Sequence, residues 1–400
     1  MKMTALETLR VPPFENLLWL RIETDEGIVG LGEASKAPAS VAAYLHEWCA
    51  PRLIGEDPRA IPARRASLVP YLGWGAAGVE TRAVSAVDIA LWDILGKATT
   101  LPVADALGGR ARSSIRTYNT CAGAGYMRRA LGQRTANYAL GAEGAYEDLD
   151  GFLHRADELA HSLLEEGITG MKIWPFDAAA ERSGGWDISA DELVTALEPF
   201  EKIRVAVGDR MDIMVEFHSL WSLPMAKRLA RALTEYDTYW HEDPFRLDNP
   251  ADIADYAPHS EAHVCVSETL STIHHFREAL ATGAVGVAMF DLGWCGGFTD
   301  ARKIAALAEA WRVPVAPHDC TGPVGYAAGS HLAMHVPNAL VMESVRAFYK
   351  GWYNDLVTGL PTVANGMLTL HEAPGHGIEL LSDVASREGV VVQRTTAADL

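Results

Sequence analysis

The sequence predicts an α/β fold, a closed (β/α)₈ barrel preceded by a smaller α+β domain. Three observations carry the prediction. The chain has 400 residues, whereas a barrel of this kind takes about 250. After about residue 113, eight short apolar runs alternate with stretches of helical periodicity, the pattern of parallel strands joined by helices. An ionisable residue ends six successive runs at nearly constant spacing.

The N-terminal domain, residues 1–112, opens with β-rich runs at Leu17–Thr24 and 28–33, joined by Asp25-Glu26-Gly27, a hairpin signal. A helix is predicted over 83–97, where Val84, Val87, Ala90 or Leu91, and Ile94 share one face. Pro102 and Gly108-Gly109 then interrupt the chain. The barrel, residues 113–345, is predicted with strands at Ile115–Thr120, Gly170–Ile173, 213–217, 238–241, 264–266, 285–290, 313–316 and 340–342. Its clearest helices are 149–166, one opened by a Ser189…Glu192 capping box, Leu223–Leu233, and 299–311. Residues 346–400 lose the alternation. Strand-like pieces at 363–370 and 389–392 are expected to return to the N-terminal domain and complete it.

With 49 % hydrophobic and 22 % charged residues the chain can bury a substantial core. Its 34 basic and 52 acidic residues give a net charge of −18, which repels nucleic-acid backbones and anionic membranes. That charge also repels an anionic substrate unless a bound cation reverses the field locally. Five scattered cysteines without a CxxC pair read as reduced thiols. There is no signal-type segment in residues 1–10 and no apolar run of membrane-spanning length. A soluble cytoplasmic enzyme is the expectation. No GxGxxG or GxxxxGK loop is present, so nucleotide use is not expected.

Glu216, Glu242, Glu268, Asp291, His318 and Glu343 end consecutive runs at intervals of 26, 26, 23, 27 and 25 residues. In a barrel these tips converge on one face, where active sites lie. Glu216, Glu242 and Glu268 on neighbouring strands make an all-oxygen set that a hard divalent cation, Mg²⁺, would neutralise. His318 beside Asp291 has the arrangement of a general base oriented by a carboxylate. His218, two residues after Glu216, faces the same way by strand periodicity and is a candidate general acid. Lys172 ends the second run and is a candidate for holding a substrate carboxylate. Trp74, Trp174, Trp221 and Trp294 are expected to line the pocket. Loops 11–16, 34–39, 72–78 and 123–146 are expected to determine the substrate.

The set Glu216…Glu242-Asp243-Pro244…Glu268…Asp291…His318…Glu343 resembles the mandelate racemase subgroup of the enolase superfamily. So do Gly27-Ile28-Val29-Gly30-Leu31-Gly32-Glu33 and Ala86-Val87-Asp88-Ile89-Ala90-Leu91-Trp92-Asp93, with Gly96-Lys97, Pro102 and Leu107-Gly108-Gly109. The resemblance covers nearly the whole chain. It implies an α+β capping domain, completed by the C-terminal segment, over a modified (β/α)₇β barrel. It further implies Mg²⁺ on Glu216, Glu242 and Glu268, a His318–Asp291 base dyad, Glu343 donating to a developing enolate, and a homo-oligomer. Asp88 and Asp93 match family positions on the capping-domain helix and are read as structural.

Three departures narrow the implied chemistry. Racemases of the subgroup carry Lys-x-Lys on the second strand, but here the run is Lys172-Ile173-Trp174, without the second base. Glu216-Phe217-His218 instead resembles the Asp-x-His of galactonate-type acid sugar dehydratases, with Glu where Asp is more usual. The expectation is therefore dehydration of a small-molecule carboxylate, an aldonate or aldarate, to a 2-keto-3-deoxy acid. A sugar-lactone cycloisomerase or one-base epimerase using the same site remains open, as does a barrel that binds without catalysis.

Overall fold

In the N-terminal domain, β1 (Met3–Arg10), β2 (Leu17–Thr24) and β3 (Val29–Ser35) form an antiparallel meander. Gly27 takes the left-handed conformation, φ 80°, that the β2–β3 turn requires. The helix Val79–Thr99 lies across this sheet. The approach is so close that a Cβ on Gly30 or Gly32 would meet the Ala90 or Ala86 carbonyl oxygen at 2.3 or 2.1 Å. That contact is the physical meaning of the glycine alternation in β3. The molecule, a computed structural model, is described for residues 1–68, 78–126, 128 and 134–400.

Eight parallel strands follow: β4 (Ile115–Thr120), β5 (Gly170–Ile173), β6 (Asp212–Glu216), β7 (Trp240–Glu242), β8 (His263–Val266), β9 (Val287–Phe290), β10 (Val315–Pro317) and β11 (Met342–Ser344). Neighbours pair in chain order from β4 to β10. β11 pairs with β4, and Leu340 N donates to Val315 O at 2.9 Å, closing the ring into a barrel. Tyr118, Met214, Trp240, Cys265, Val287, Met289, Ala316 and Val341 pack together as an apolar cluster, the layered filling of a small barrel.

Several strands start later than the sequence predicts: Trp240 rather than 238, Val315 rather than 313, Met342 rather than 340. Hydropathy registers the apolar residues that lead into a strand, such as the exposed Leu340, whose single hydrogen bond to Val315 precedes the ladder that begins at Met342. The predicted helix 149–166 is two helices, Asp148–His154 and Ala156–Glu165, separated by Arg155 at φ −137°. Of the two C-terminal pieces assigned to the N-terminal domain, Val391–Thr396 does pair with β1. The hairpin Thr362–Ala364/Met367–Thr369 instead pairs with the start of β4, at the barrel end away from the strand tips.

Buried polar contacts join the parts. Glu33 at the end of the glycine run accepts from Val324 N and Gly325 N, at the start of the helix Pro323–His335. Asp88 accepts from Thr299 N, and Asp93 from Leu31 N and His376 N, each at 3.0 Å. Arg346 binds both oxygens of Asp148 at 2.7 Å. All five cysteines are free thiols. Among the described residues no helix is long and apolar enough to cross a membrane.

Candidate active site

Glu216 and Glu242 are the last residues of β6 and β7 and are direct partners across the parallel ladder. Paired positions on parallel strands project alike, so both carboxylates stand side by side at the barrel mouth. Glu268 lies two residues past β8, Asp291 one past β9 and His318 one past β10; Glu343 is in β11 and Lys172 in β5. All are buried except Glu268, whose side chain is 13 % exposed.

The Lys172 ammonium lies 2.6 Å from Glu242 Oε1, 2.8 Å from Glu343 Oε1 and 3.5 Å from Glu216 Oε2. Burial works against its charge, but Glu242 and Glu343 outweigh it and hold the lysine well above its usual range. His318 donates through Nδ1 to Asp291 Oδ2 at 2.8 Å, and its Nε2 lies 2.5 Å from Glu268 Oε2. Burial alone would lower this imidazole; Glu268, Glu343 and the two hydrogen bonds raise it well above the ordinary histidine value. Glu343 also accepts from Asp319 N at 2.8 Å and from the Thr120 hydroxyl. Burial opposes its ionisation, yet Lys172 and His318 keep it below the usual carboxylate value. In this arrangement Glu343 accepts from Lys172, Thr120 and Asp319 N.

Among the described residues, the ion pairs of Glu216, Glu242, Glu268, Asp291 and Glu343 are all made with two cationic side chains, Lys172 and His318. The imbalance shows in Glu216, raised well above its usual value by burial and by Glu242 beside it. Asp243 is raised by burial and by Glu268, and its Oδ1 is buried without a partner. Among the described residues no three Asp, Glu, His or Cys side chains close on one point as a ready-made ion cage. Glu216 and Glu242 turn to Lys172, and Glu268 to His318. The donor chemistry nonetheless fits a hard divalent cation: all-oxygen, surplus in negative charge and largely dry.

His218 is not part of β6. Its φ of 52° and that of Ser219, 55°, are left-handed, so strand periodicity does not orient it. Its backbone N–H donates to Glu216 Oε1 at 2.5 Å and its Nδ1 lies 3.0 Å from Asp177 Oδ2. The ring nevertheless reaches the same pocket as His318. Trp174 and Trp294 also line this pocket. Trp174 packs on Tyr126, Phe152 and His218, with ring centroids 5.2, 5.0 and 5.8 Å away. Trp294 lies 5.4 Å from the His318 ring and donates to Ser35 Oγ at 2.9 Å. Trp221 is buried and does not reach the pocket. Trp74 lies outside the described residues.

Sequence reasoning missed Asp177, which contacts His218, and Thr120, which lines the pocket; neither carries a motif. Lys36 and Asn16, which line the pocket, fall in two of the four loops expected to determine the substrate.

Comparison with known proteins agrees with this geometry. Residues 6–108 match the mandelate racemase / muconate lactonizing enzyme N-terminal domain, and residues 155–384 match the enolase C-terminal domain-like family. The chain belongs to the enolase superfamily, in its mandelate racemase subgroup. Among similar structures, an enolase of that subgroup from Agrobacterium tumefaciens is 52 % identical, with a TM-score of 0.88 over 100 % of both chains. A D-galactonate dehydratase from Ralstonia nicotianae is 30 % identical over 100 % of this chain and 95 % of its own. A D-xylonate dehydratase from Haloferax volcanii is 29 % identical over 100 % of this chain and 91 % of its own. Dehydratases are hydro-lyases, and the chain is an enzyme of the lyase class.

Proposed function

We propose that the chain is a Mg²⁺-dependent acid sugar dehydratase, converting an aldonate or aldarate to a 2-keto-3-deoxy acid. The observation that carries this reading is a pair of carboxylate-backed histidines facing one pocket, His318 on Asp291 and His218 on Asp177. Removing water beside a carboxylate needs a base for the α-proton and an acid for the departing hydroxyl. The second-strand position of a racemase's other base is Trp174, packed among aromatic rings, which supports elimination over two-base racemisation.

Glu216, Glu242 and Glu268 would hold the cation. When bound, Mg²⁺ supplies positive charge where negative charge develops on the substrate's carboxyl group. Lys172 holds that carboxyl group from the other side and donates to it as charge builds, the kind of preorganised stabilisation that dominates such reactions. Glu343, ionised, orients the Lys172 ammonium. Asp291 fixes the His318 tautomer so that Nε2 faces the substrate. With Glu268 turned toward the cation, Nε2 loses its carboxylate partner and the imidazole drops toward the neutral form that a base needs. His318 takes the α-proton, His218 protonates the β-hydroxyl, the C–O bond breaks, water leaves, and the enol becomes the ketone.

The test is a panel of aldonates and aldarates incubated with the protein and Mg²⁺, with 2-keto acid measured and the product defined by proton NMR. At least one should be converted, and His318→Asn should abolish conversion. No 2-keto acid from any of them, with a folded and metal-loaded protein, overturns the reading.

A further inference from the structure

We propose that the substrate carries an anion at each end, the second being received by Lys36 and Arg82 where the N-terminal domain meets the pocket. The inference rests on the dehydratase reading, which puts the reacting carboxylate at Lys172. Lys172 is committed to three carboxylates. Lys36 and Arg82 form no ion pair among the described residues, and the residues outside that set contain no Asp or Glu.

Both cations instead lie over the Trp294 ring, Lys36 Nζ at 4.4 Å and Arg82 Cζ at 5.3 Å from its centroid. That ring is 5.4 Å from His318, so the two charges stand one aromatic ring beyond the base. Arg82 Nε is buried without a hydrogen-bond partner. Of the acids that these cations sense, Glu268, Asp291 and Glu80, the first two are already bonded to His318, and among the described residues Glu80 forms no ion pair with Arg82. A ring face attracts a cation but does not replace an anion, and a part-buried guanidinium with a free N–H is left wanting one.

The backbone is bent to present Lys36. Lys36 and Ala37 are both left-handed, at φ 62° and 52°. His218 and Ser219 show the same pair of strained residues, at 52° and 55°. Strain of this kind persists where the surroundings impose it and gathers at ligand clamps. An aldonate ends in a neutral hydroxymethyl group and would leave both cations unmatched. A terminal carboxylate, as in an aldarate, or a terminal phosphate would answer them, and a guanidinium fork fits either.

The test is calorimetric binding to the His318→Asn protein in Mg²⁺ at fixed ionic strength. The probes are galactonate against galactarate, gluconate against glucarate, and 6-phosphogluconate; KM values on the unmutated enzyme accompany them. At least one doubly charged probe should bind tenfold or more tightly than its singly charged counterpart, with the aldarate and phosphate arms identifying the anion. Lys36→Met should cut that preference at least fivefold, and Lys36→Arg should restore most of it. Equal binding of both kinds, or equal weakening of both by Lys36→Met, overturns the inference. If the preference stands but no acid sugar is dehydrated, only the dehydratase reading fails. If aldonates are dehydrated with lower KM than aldarates, only this inference fails; absence of binding by every probe removes both.

Discussion

Asp291→Asn separates two duties of one side chain. Asp291 Oδ1 accepts from Gly293 N at 2.6 Å, capping the short helix Leu292–Cys295, while Oδ2 accepts from His318 Nδ1 at 2.8 Å. An asparagine keeps the cap through its carbonyl oxygen. Its NH₂, however, must face Nδ1, which obliges Nδ1 to accept and moves the ring proton to Nε2. Exchanging a charge-assisted hydrogen bond for a neutral one should cost about 1 kcal/mol of stability. The rate should suffer far more, because Nε2 is then occupied. A base locked in the wrong tautomer loses about 10³–10⁴ in kcat, or about 4–5 kcal/mol of barrier. Steady-state 2-keto acid formation and a thermal melt measure the two effects. The expected result is a collapse of kcat, KM within about threefold, and Tm lower by only a few degrees. A kcat within tenfold of the parent enzyme, with the fold intact, would refute the role given to Asp291.

Four further outcomes are expected. Burial pushes Glu33 up to about 7 from 4.5, against hydrogen bonds from Gly325 N, Val324 N and Trp19. Its favourable contribution is therefore fully present below pH 4.5 and is lost as pH rises through 7. Glu33→Gln should remove that slope, up to about 3 kcal/mol, in denaturant melts between pH 4.5 and 8; parallel pH profiles for both proteins would contradict it. Gly32→Ala drives a Cβ to 2.1 Å from Ala86 O and should cost at least about 1–3 kcal/mol, read as a fall in Tm. Mg²⁺ at about a hundred times its Kd should stabilise the protein by about 2.7 kcal/mol. Glu216→Gln should lose most of that gain, whereas an unchanged Tm with and without chelator speaks against the metal site. Asp177→Asn should slow water loss about tenfold to hundredfold while α-proton exchange with deuterated solvent continues; equal loss of both would deny His218 its separate role.

The barrel was legible because its signal is repeated. Six ionisable residues in phase, from Glu216 to Glu343, are explained together by strand tips on one face, and His318 and Asp291 do meet there. The N-terminal domain was legible through Gly30 and Gly32, whose absent side chains the helix Val79–Thr99 requires. Other features depend on contacts distant in sequence. Asp177 supports His218 across 41 residues, and Arg82 reaches Trp294 from another domain; neither leaves a local pattern. Strand periodicity gave His218 the right pocket for the wrong reason, since its left-handed backbone sets its direction. The hairpin at 362–369 went to the barrel because its pairing with Ile115 carries no marker in composition. The ion pair of Glu343 with Lys172 likewise leaves no local pattern, because only the fold brings the two together.

Glu216, Glu242 and Glu268 are proposed to hold one divalent cation between Lys172 and His318. Anomalous diffraction from crystals soaked in Mn²⁺ as a substitute for Mg²⁺ measures it directly. A single peak bounded by those three carboxylates, absent in Glu242→Gln, is the predicted result. A peak elsewhere, or none at saturating Mn²⁺, would contradict it.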